Sequence, residues 1–423
     1  MAGNAAPSTR RVLAASLIGT AIEFYDFYVY TTAAALVFGE LFFPRASSAA
    51  QQLLSFATIG VAFVARPLGS LFFGHFGDRV GRKSTLVASL LTMGISTTLV
   101  ALLPTYAQAG WIAALLLCVL RFGQGFGLGG EWGGAALLAV EHAPPGKRAR
   151  YGMFPQLGAP VGFIAANGLF LVLGALLSSA QFHDWGWRIP FILSAFLVAV
   201  GLWIRLRLAE TPEFAAALAE APPPKVPFGE LVARHFGPLA VGTVGAIACF
   251  ALYYVATAFA LGYGTKTLGY GMKDFLGVQL GAILFMAAGI YVAAWMSDRH
   301  FDERRVLMAG CVGTIFAGLL MAPMMNSGSL FQVFLFLALS LTLMGFVYGP
   351  LGAWLPSLFP ARVRYTGVSM AFNVAGVLGG GLTPLVAQTL AVKHGLMAVG
   401  LYSGGAALVS LIALALFGKA RTA

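Results

Sequence analysis

Glu23 and Asp26 sit inside the run Ala21-Ile22-Glu23-Phe24-Tyr25-Asp26-Phe27, deep in an apolar stretch from about Val12 to Phe38. Their spacing of three puts both on one face of a helix. Two neighbouring carboxylates in a low dielectric resist double ionisation, so one of them takes up and gives back a proton readily. Tyr25 and Tyr28 lie beside them and offer hydroxyls to a substrate or to the acids. Arg66 and Arg121 fall in the middle of two other apolar stretches. A charge at a bilayer centre costs about 2.5–3.5 kcal/mol, so two acids and two bases are expected to pair. Either arginine could instead meet a carboxylate substrate through its planar fork. Gln124 shares a helix face with Arg121. The plainer reading is that the four charges form ion pairs that hold helices together.

His75, His142, His183, His235, His300 and His394 all fall at the ends of apolar stretches or between them. Carboxylates are then the strong proton carriers available. The later part of the chain has no charge in the middle of a stretch; it offers Tyr253, Tyr254, Thr257, Tyr348, Asn373 and Gln388. Of these, Tyr253, Tyr254 and Asn373 are taken as substrate contacts, with Tyr25, Tyr28, Arg66 and Gln124. Cys118, Cys249 and Cys311 have neither metal-ligand nor redox spacing and read as small buried hydrophobes. No metal is expected, and no cofactor beyond a proton gradient. Gly125-Phe126-Gly127-Leu128-Gly129-Gly130 fits a dinucleotide fingerprint, but no strand precedes it, and small residues in an apolar helix permit close helix contact. No nucleophile or cofactor constellation marks an enzyme.

Of the 423 residues, 59% are hydrophobic and 10% charged, a balance that suits lipid rather than water as the solvent. Twelve apolar stretches follow, at about 12–39, 52–76, 84–104, 109–130, 151–178, 188–208, 237–262, 274–297, 305–325, 328–350, 365–391 and 396–418. Ile112–Leu120 and Leu330–Leu343 are apolar on nearly all sides, which favours helices over the alternating strands of a barrel. The first stretch is too long and too acidic for a cleaved signal peptide. With the N-terminus cytoplasmic, 19 Lys and Arg fall on the cytoplasmic side and 5 on the other. That asymmetry predicts a multi-pass membrane protein with both termini cytoplasmic. It also accounts for the net charge of +11 without nucleic acid, because the basic residues do not gather on one face. The lipid bilayer is the expected environment.

Residues 209–236, with Pro222, Pro223 and Pro224, read as a cytoplasmic linker between halves 1–208 and 237–423. The halves repeat. Gly77-Asp78-Arg79 is matched by Ser297-Asp298-Arg299, and Arg148-Ala149-Arg150-Tyr151 by Arg362-Val363-Arg364-Tyr365. An even number of helices per half gives parallel halves with a site between them.

The run Gly74-His75-Phe76-Gly77-Asp78-Arg79-Val80-Gly81-Arg82-Lys83 resembles the loop signature of the major facilitator superfamily, and Arg121-Phe122-Gly123-Gln124-Gly125 resembles its fourth-helix signature. Arg66-Pro67-Leu68-Gly69, Gly129-Gly130-Glu131-Trp132-Gly133-Gly134, Trp185-Gly186-Trp187-Arg188-Ile189-Pro190-Phe191 and Glu210-Thr211-Pro212 narrow the likeness to the metabolite:proton symporters, near the shikimate-type branch. The resemblance implies twelve transmembrane helices in two pseudo-symmetric halves, an inner-membrane location and a monomer. It implies proton-coupled symport of a small polar metabolite, an organic acid or zwitterion, by alternating access. Export or exchange by the same fold is the alternative. It gives Arg121 a part in proton transfer or charge balance with Glu23 and Asp26. It makes Gly74, Asp78, Arg79, Gly81 and Arg82 a charge latch at the cytoplasmic mouth, with Asp298 and Arg299 as counterparts. Glu131 is expected near the cytoplasmic end of helix 4 and belongs to the same gate. The second loop lacks the Gly-Arg pair of the first.

Overall fold

Inside hydrocarbon every backbone polar group must be satisfied within the protein, so a chain this apolar spans as helices or as a closed barrel. The computed structural model, which describes residues 9–79, 82–206 and 227–417, contains helices and turns and no strand among those residues. The first six helices are α1 (Thr9–Ala33), α2 (Ser48–Arg79), α3 (Arg82–Val100), α4 (Trp111–Leu128), α5 (Arg148–Leu176) and α6 (Ile189–Leu206). The second six are α7 (Pro227–Tyr254), α8 (Met272–Arg299), α9 (Glu303–Met325), α10 (Leu330–Tyr348), α11 (Arg364–Gly376) and α12 (Leu396–Phe417). Ten spans among the described residues are long and apolar enough to cross a membrane. The other two have plain reasons: α1 carries two acids and several tyrosines, and the apolar part of α3 is only Ser84–Val100.

Two boundaries differ from expectation. Helix 4 does not stop at residue 130; after Gly129 it resumes as Glu131–Glu141. Helix 7 begins at Pro227, inside the expected linker, and bends at His235, whose backbone is not helical. The rest of that linker, 209–226, lies outside the described residues.

The irregularities repeat as the sequence does. π-helical turns occur at Ala34–Phe38 after α1 and at Val255–Phe259 after α7, 221 residues apart. Helix 4 breaks at Gly129-Gly130 and helix 10 at Gly349-Pro350 before resuming as Leu351–Ser357, a displacement of 220. Such distortions free backbone groups and bend a helix at a fixed place.

Within the first half α1 packs on α5 and α6, and α4 on α2 and α3; in the second, α8 packs on α10 and α9 on α12. The halves meet along α2–α11 and α5–α8. The glycine run of helix 4 explains its own packing. A Cβ on Gly125 would lie 2.1 Å from Ala62 O, one on Gly129 2.2 Å from Arg66 O, and one on Gly127 2.7 Å from Met93 N. Two helices approach backbone to backbone there, which excludes any side chain.

Candidate functional site

A chain with two halves buries its most restrictive chemistry where they meet, and here they enclose a central cavity. Its wall carries Glu23, Tyr28, Arg66, Tyr253, Tyr254 and Asn373, all expected at the site. The wall also carries Trp132, Tyr348, Phe372 and Met286. The cavity volume is about 40 Å³, room for a few waters and far below the ~300 Å³ of a typical ligand pocket. This conformer is therefore contracted around its site.

Arg66 is 8% exposed, and its guanidinium lies 4.5 Å from the Phe27 ring centre and 4.4 Å from that of Phe63. Its Nε has no hydrogen-bond partner. A cation held between two rings keeps its fork in one plane and leaves its donors for an incoming group. Tyr28 stacks on Tyr253 with ring centres 5.6 Å apart, joining α1 to α7. The hydroxyls of Tyr253 and Tyr348 are buried without partners. Trp132 stacks on Phe372 at 3.6 Å and forms part of the wall on the side of the chain termini. Large aromatics inside the glycine-rich run of helix 4 are the signal that points to Trp132.

Arg121 stands apart from this wall. It is fully buried, 3.8 Å from the Tyr30 ring centre and 4.4 Å from that of Phe27, and donates to Gln124 Oε1. Gln124 Nε2 donates to the Asp26 carbonyl at 3.0 Å and to Thr97 Oγ1 at 2.8 Å. Gln124 thus positions Arg121 against α1 and is not among the residues lining the cavity. Tyr25 also leaves the expected set: its hydroxyl donates to Pro190 O at 2.9 Å, a bolt between α1 and α6.

The two acids of α1 do not act as neighbours. Glu23 reaches the cavity, while Asp26 is fully buried and faces the hydroxyls of Ser194 and Thr97 without closing a hydrogen bond to either. Three residues of helix leave the two side chains about 60° apart around the axis, which is enough to place one in the cavity and the other behind it. The expected ion pairs with Arg66 and Arg121 do not form among the described residues. Glu131 is fully buried, and it pairs at 3.0 Å with Arg205 from the last turn of α6. In the sequence Arg205 is one of the 19 basic residues on the cytoplasmic side, and nothing there singles it out as the partner of Glu131.

The termini side is closed by contacts between halves. Asn373 Nδ2 donates to Ser70 Oγ at 2.7 Å and to Gly129 O at 3.0 Å, and the Tyr365 hydroxyl donates to Gly130 O. Asn373 thus serves closure as much as the wall. Gly74 faces Thr366 of α11, where a Cβ would lie 3.3 Å from its hydroxyl. The Asp298 carboxylate at the end of α8 accepts from the amides of Ala149 and Arg150 and from Arg150 Nε. The latch expected of Asp298 is therefore built on the first turn of α5, where free amides favour an anion. Arg299 does not join it; its guanidinium lies over Trp295 of its own helix, at 5.5 Å. Asp78, Arg79 and Arg82 stand at the ends of α2 and α3, with side chains outside the described set, and Gly81 lies outside the described residues altogether.

The opposite side is held by α1–α7 aromatic contacts and, beyond them, by Lys266 Nζ donating to Glu40 at 2.6 Å. No cluster of metal-ligating side chains occurs among the described residues.

Comparison with known proteins agrees with this arrangement. The Major Facilitator Superfamily profile matches residues 16–384. The chain is 49% identical to the inner membrane metabolite transport protein YhjE of Escherichia coli, over 98% of this chain and 95% of that one. It is 38% identical to the E. coli shikimate transporter, over 90% and 87%. A solved structure of the proton:xylose symporter XylE superposes with a TM-score of 0.79 at 16% identity, covering 97% of this chain and 96% of that one.

Proposed function

The chain belongs to the Major Facilitator Superfamily, and from that premise we propose that it is a proton-coupled symporter of a small metabolite bearing a carboxylate, an organic acid or a zwitterion. It is a multi-pass inner-membrane transporter and not an enzyme, as its family and relatives are. The proton, the substrate class and the direction are our reading. One observation carries it: Arg66 and Glu23 line the same cavity, the first with a free donor and the second with an unpartnered oxygen.

Charge balance gives the coupling. In the empty cavity an ionised Glu23 lies near enough to Arg66 to offset its charge. A substrate carboxylate taken by Arg66 removes that offset, and a proton on Glu23 restores neutrality. Substrate and proton then load together, because loading either alone leaves a charge in a low dielectric. Asp26 serves as a second proton carrier behind the cavity. Arg121, fixed by Gln124, supplies a standing positive charge on that side. Tyr28, Tyr253 and Tyr348 offer hydroxyls to the rest of the substrate.

Alternating access follows from the two closures. The termini side, cytoplasmic in this reading, is tied by Asp298, Tyr365 and Asn373 and opens when they part. The other side opens when the α1–α7 rings separate. The protein is taken to work as a monomer, because each half contributes to the one site.

Proteoliposomes test the reading. Shikimate, other organic acids and zwitterions are first screened for thermal stabilisation of purified protein. Uptake of the best binder should then rise when the outside is made acidic. Asp26→Asn should lose that stimulation while keeping counterflow exchange. Full proton-driven uptake by Asp26→Asn would remove Asp26 from the coupling, and acid-driven efflux in its place would make the protein an exporter.

A further inference from the structure

The polar groups of the first half do not end at the cavity. On the side away from the cavity the Glu23 carboxyl comes within hydrogen-bonding reach of Glu131. Glu131 is fully buried; its Oε1 accepts from Ser89 Oγ and from Arg205 Nη1, both at 3.0 Å, and its Oε2 from Arg205 Nη2 at 3.1 Å. Arg205 also donates to Leu86 O, from the last turn of α6 on the termini side. A line of side chains therefore runs from the cavity toward that face of the membrane, through α1, the Glu131–Glu141 part of helix 4 and α6, with Ser89 and Leu86 of α3 beside it.

We propose that Glu23 and Glu131 share one proton, and that this acid pair with Arg205 is the site through which the proton leaves the cavity toward the termini side. The use made of the site rests on the symport reading above; its existence does not. An ionised carboxylate only accepts hydrogen bonds, so two of them attract each other only when one carries a hydrogen. Charge leads to the same state. Two ionised carboxylates and one guanidinium leave the group one negative charge, which Arg66 offsets only while no substrate carboxylate holds it; one added proton makes the group neutral by itself.

The surrounding groups fit this. Arg66 faces the pair from α2, Asp26 lies on α1 itself, Tyr348 faces Glu23 from α10, and Tyr365 faces Arg205 from α11. Arg66 is the cation that a substrate would occupy, so unloading the substrate returns its charge to Glu23 and favours proton loss. The transfer is balanced. The O–H bond of Glu23 breaks as one forms on Glu131, and Arg205 opens one of its two hydrogen bonds to Glu131 to admit it. Glu131 passes the proton to water once Tyr365 has left Gly130 O and the termini side is wet. Arg205 then closes again on the ionised Glu131.

Infrared difference spectra of protein in lipid vesicles, taken across a pH jump in H2O and D2O, test this without substrate or gradient. A failed transport assay therefore leaves the result readable, and a failed result here leaves the symport reading standing. On the acid side of the jump, wild type should show the carbonyl band of a buried protonated carboxyl. Glu23→Gln should lose it, because it removes the carboxyl that carries the hydrogen between the pair. Glu131→Gln should lose the same band, because the freed Arg205 ionises Glu23, and the double variant should lose nothing more. Glu131→Gln strips Arg205 of its partner and can fail to fold, so Glu131→Asp is the second variant. It keeps the charge opposite Arg205 but shortens the reach to Glu23, and the band should move to the position of an isolated acid. A band unmoved by Glu131→Asp, or a separate band lost in each single variant, overturns the shared proton.

Discussion

The carboxylate of Asp298, on the last turn of α8, receives the amide of Arg150 at 3.1 Å and its side-chain Nε at 2.8 Å, so one residue of the second half caps a helix of the first. Both partners of this contact sit on the termini side. Hydrogen bonds to a charged group contribute about 1.5–3 kcal/mol each when partly buried.

Asp298→Ala should therefore raise the ratio of termini-side-open to closed protein by about tenfold or more. Spin-label distances between the termini-side ends of α5 and α8 read this directly. Asp298→Asn, which keeps an acceptor but no charge, should fall between. Unchanged distance distributions in both variants would make Asp298 an idle cap.

Arg66→Lys should keep the charge and lose the planar fork seated between Phe27 and Phe63. Affinity for the screened carboxylate substrate should fall by about 2 kcal/mol, roughly thirtyfold, while thermal stability changes little. Calorimetric titration measures it. Arg121→Lys should instead lower stability, because Arg121 is held by Gln124 behind the wall.

Tyr25→Phe separates a bolt from a ligand. It removes the tyrosine donor from the Pro190 carbonyl, which costs about 0.5–1.5 kcal/mol of stability. Substrate KM should not move. A raised KM with unchanged melting temperature would return Tyr25 to the binding site.

Glu40 carries the pH dependence on the opposite face. Partial burial pushes its carboxyl up, but the hydrogen bond and charge of Lys266, and those of His183, outweigh this and hold it below the ordinary value of 4.5. A depressed acid contributes stability above its unfolded pKa and loses it as pH falls through the folded one. The Glu40–Lys266 contact should thus be whole at neutral and mildly acid pH and weaken only below about pH 4.5. Glu40→Gln should widen label distances between α1 and α7 on that side at neutral pH, by less than about fivefold in population since the pair is exposed, and the difference from wild type should vanish as pH falls well below about 4.5. A wild-type distance that already changes near neutrality would assign the pH response elsewhere.

Much of the fold was legible because the bilayer leaves few solutions. The repeat of Asp78 by Asp298 foreshadowed matching π-turns after α1 and α7 and matching breaks in helices 4 and 10. Less of the site was legible. Glu23, Tyr28, Arg66, Tyr253, Tyr254 and Asn373 announced themselves as polar groups inside apolar stretches, and all line the cavity. Tyr25 and Gln124 carried the same signal and turned out to bind the scaffold. Glu131 was placed by distance along its helix and Arg205 only as one of the basic residues on the cytoplasmic side, and neither says which helix faces the other.

The sequence by itself determined that this chain spans a membrane as twelve helices in two matched halves, and that Glu23, Asp26, Arg66 and Arg121 must each find compensation there. Apolar length, basic asymmetry and the cost of a buried charge depend on the solvent and not on which helices touch. Only the tertiary structure decided the surroundings: Arg66 at the cavity, Arg121 behind it, Asp26 facing two hydroxyls, Glu23 within reach of Glu131. A helix can present a side chain to any of several neighbours, and rotation by a few tens of degrees changes which one. That rotation is set by packing, here by the glycines of helix 4 closing on α2 and α3, and no one-dimensional pattern records it.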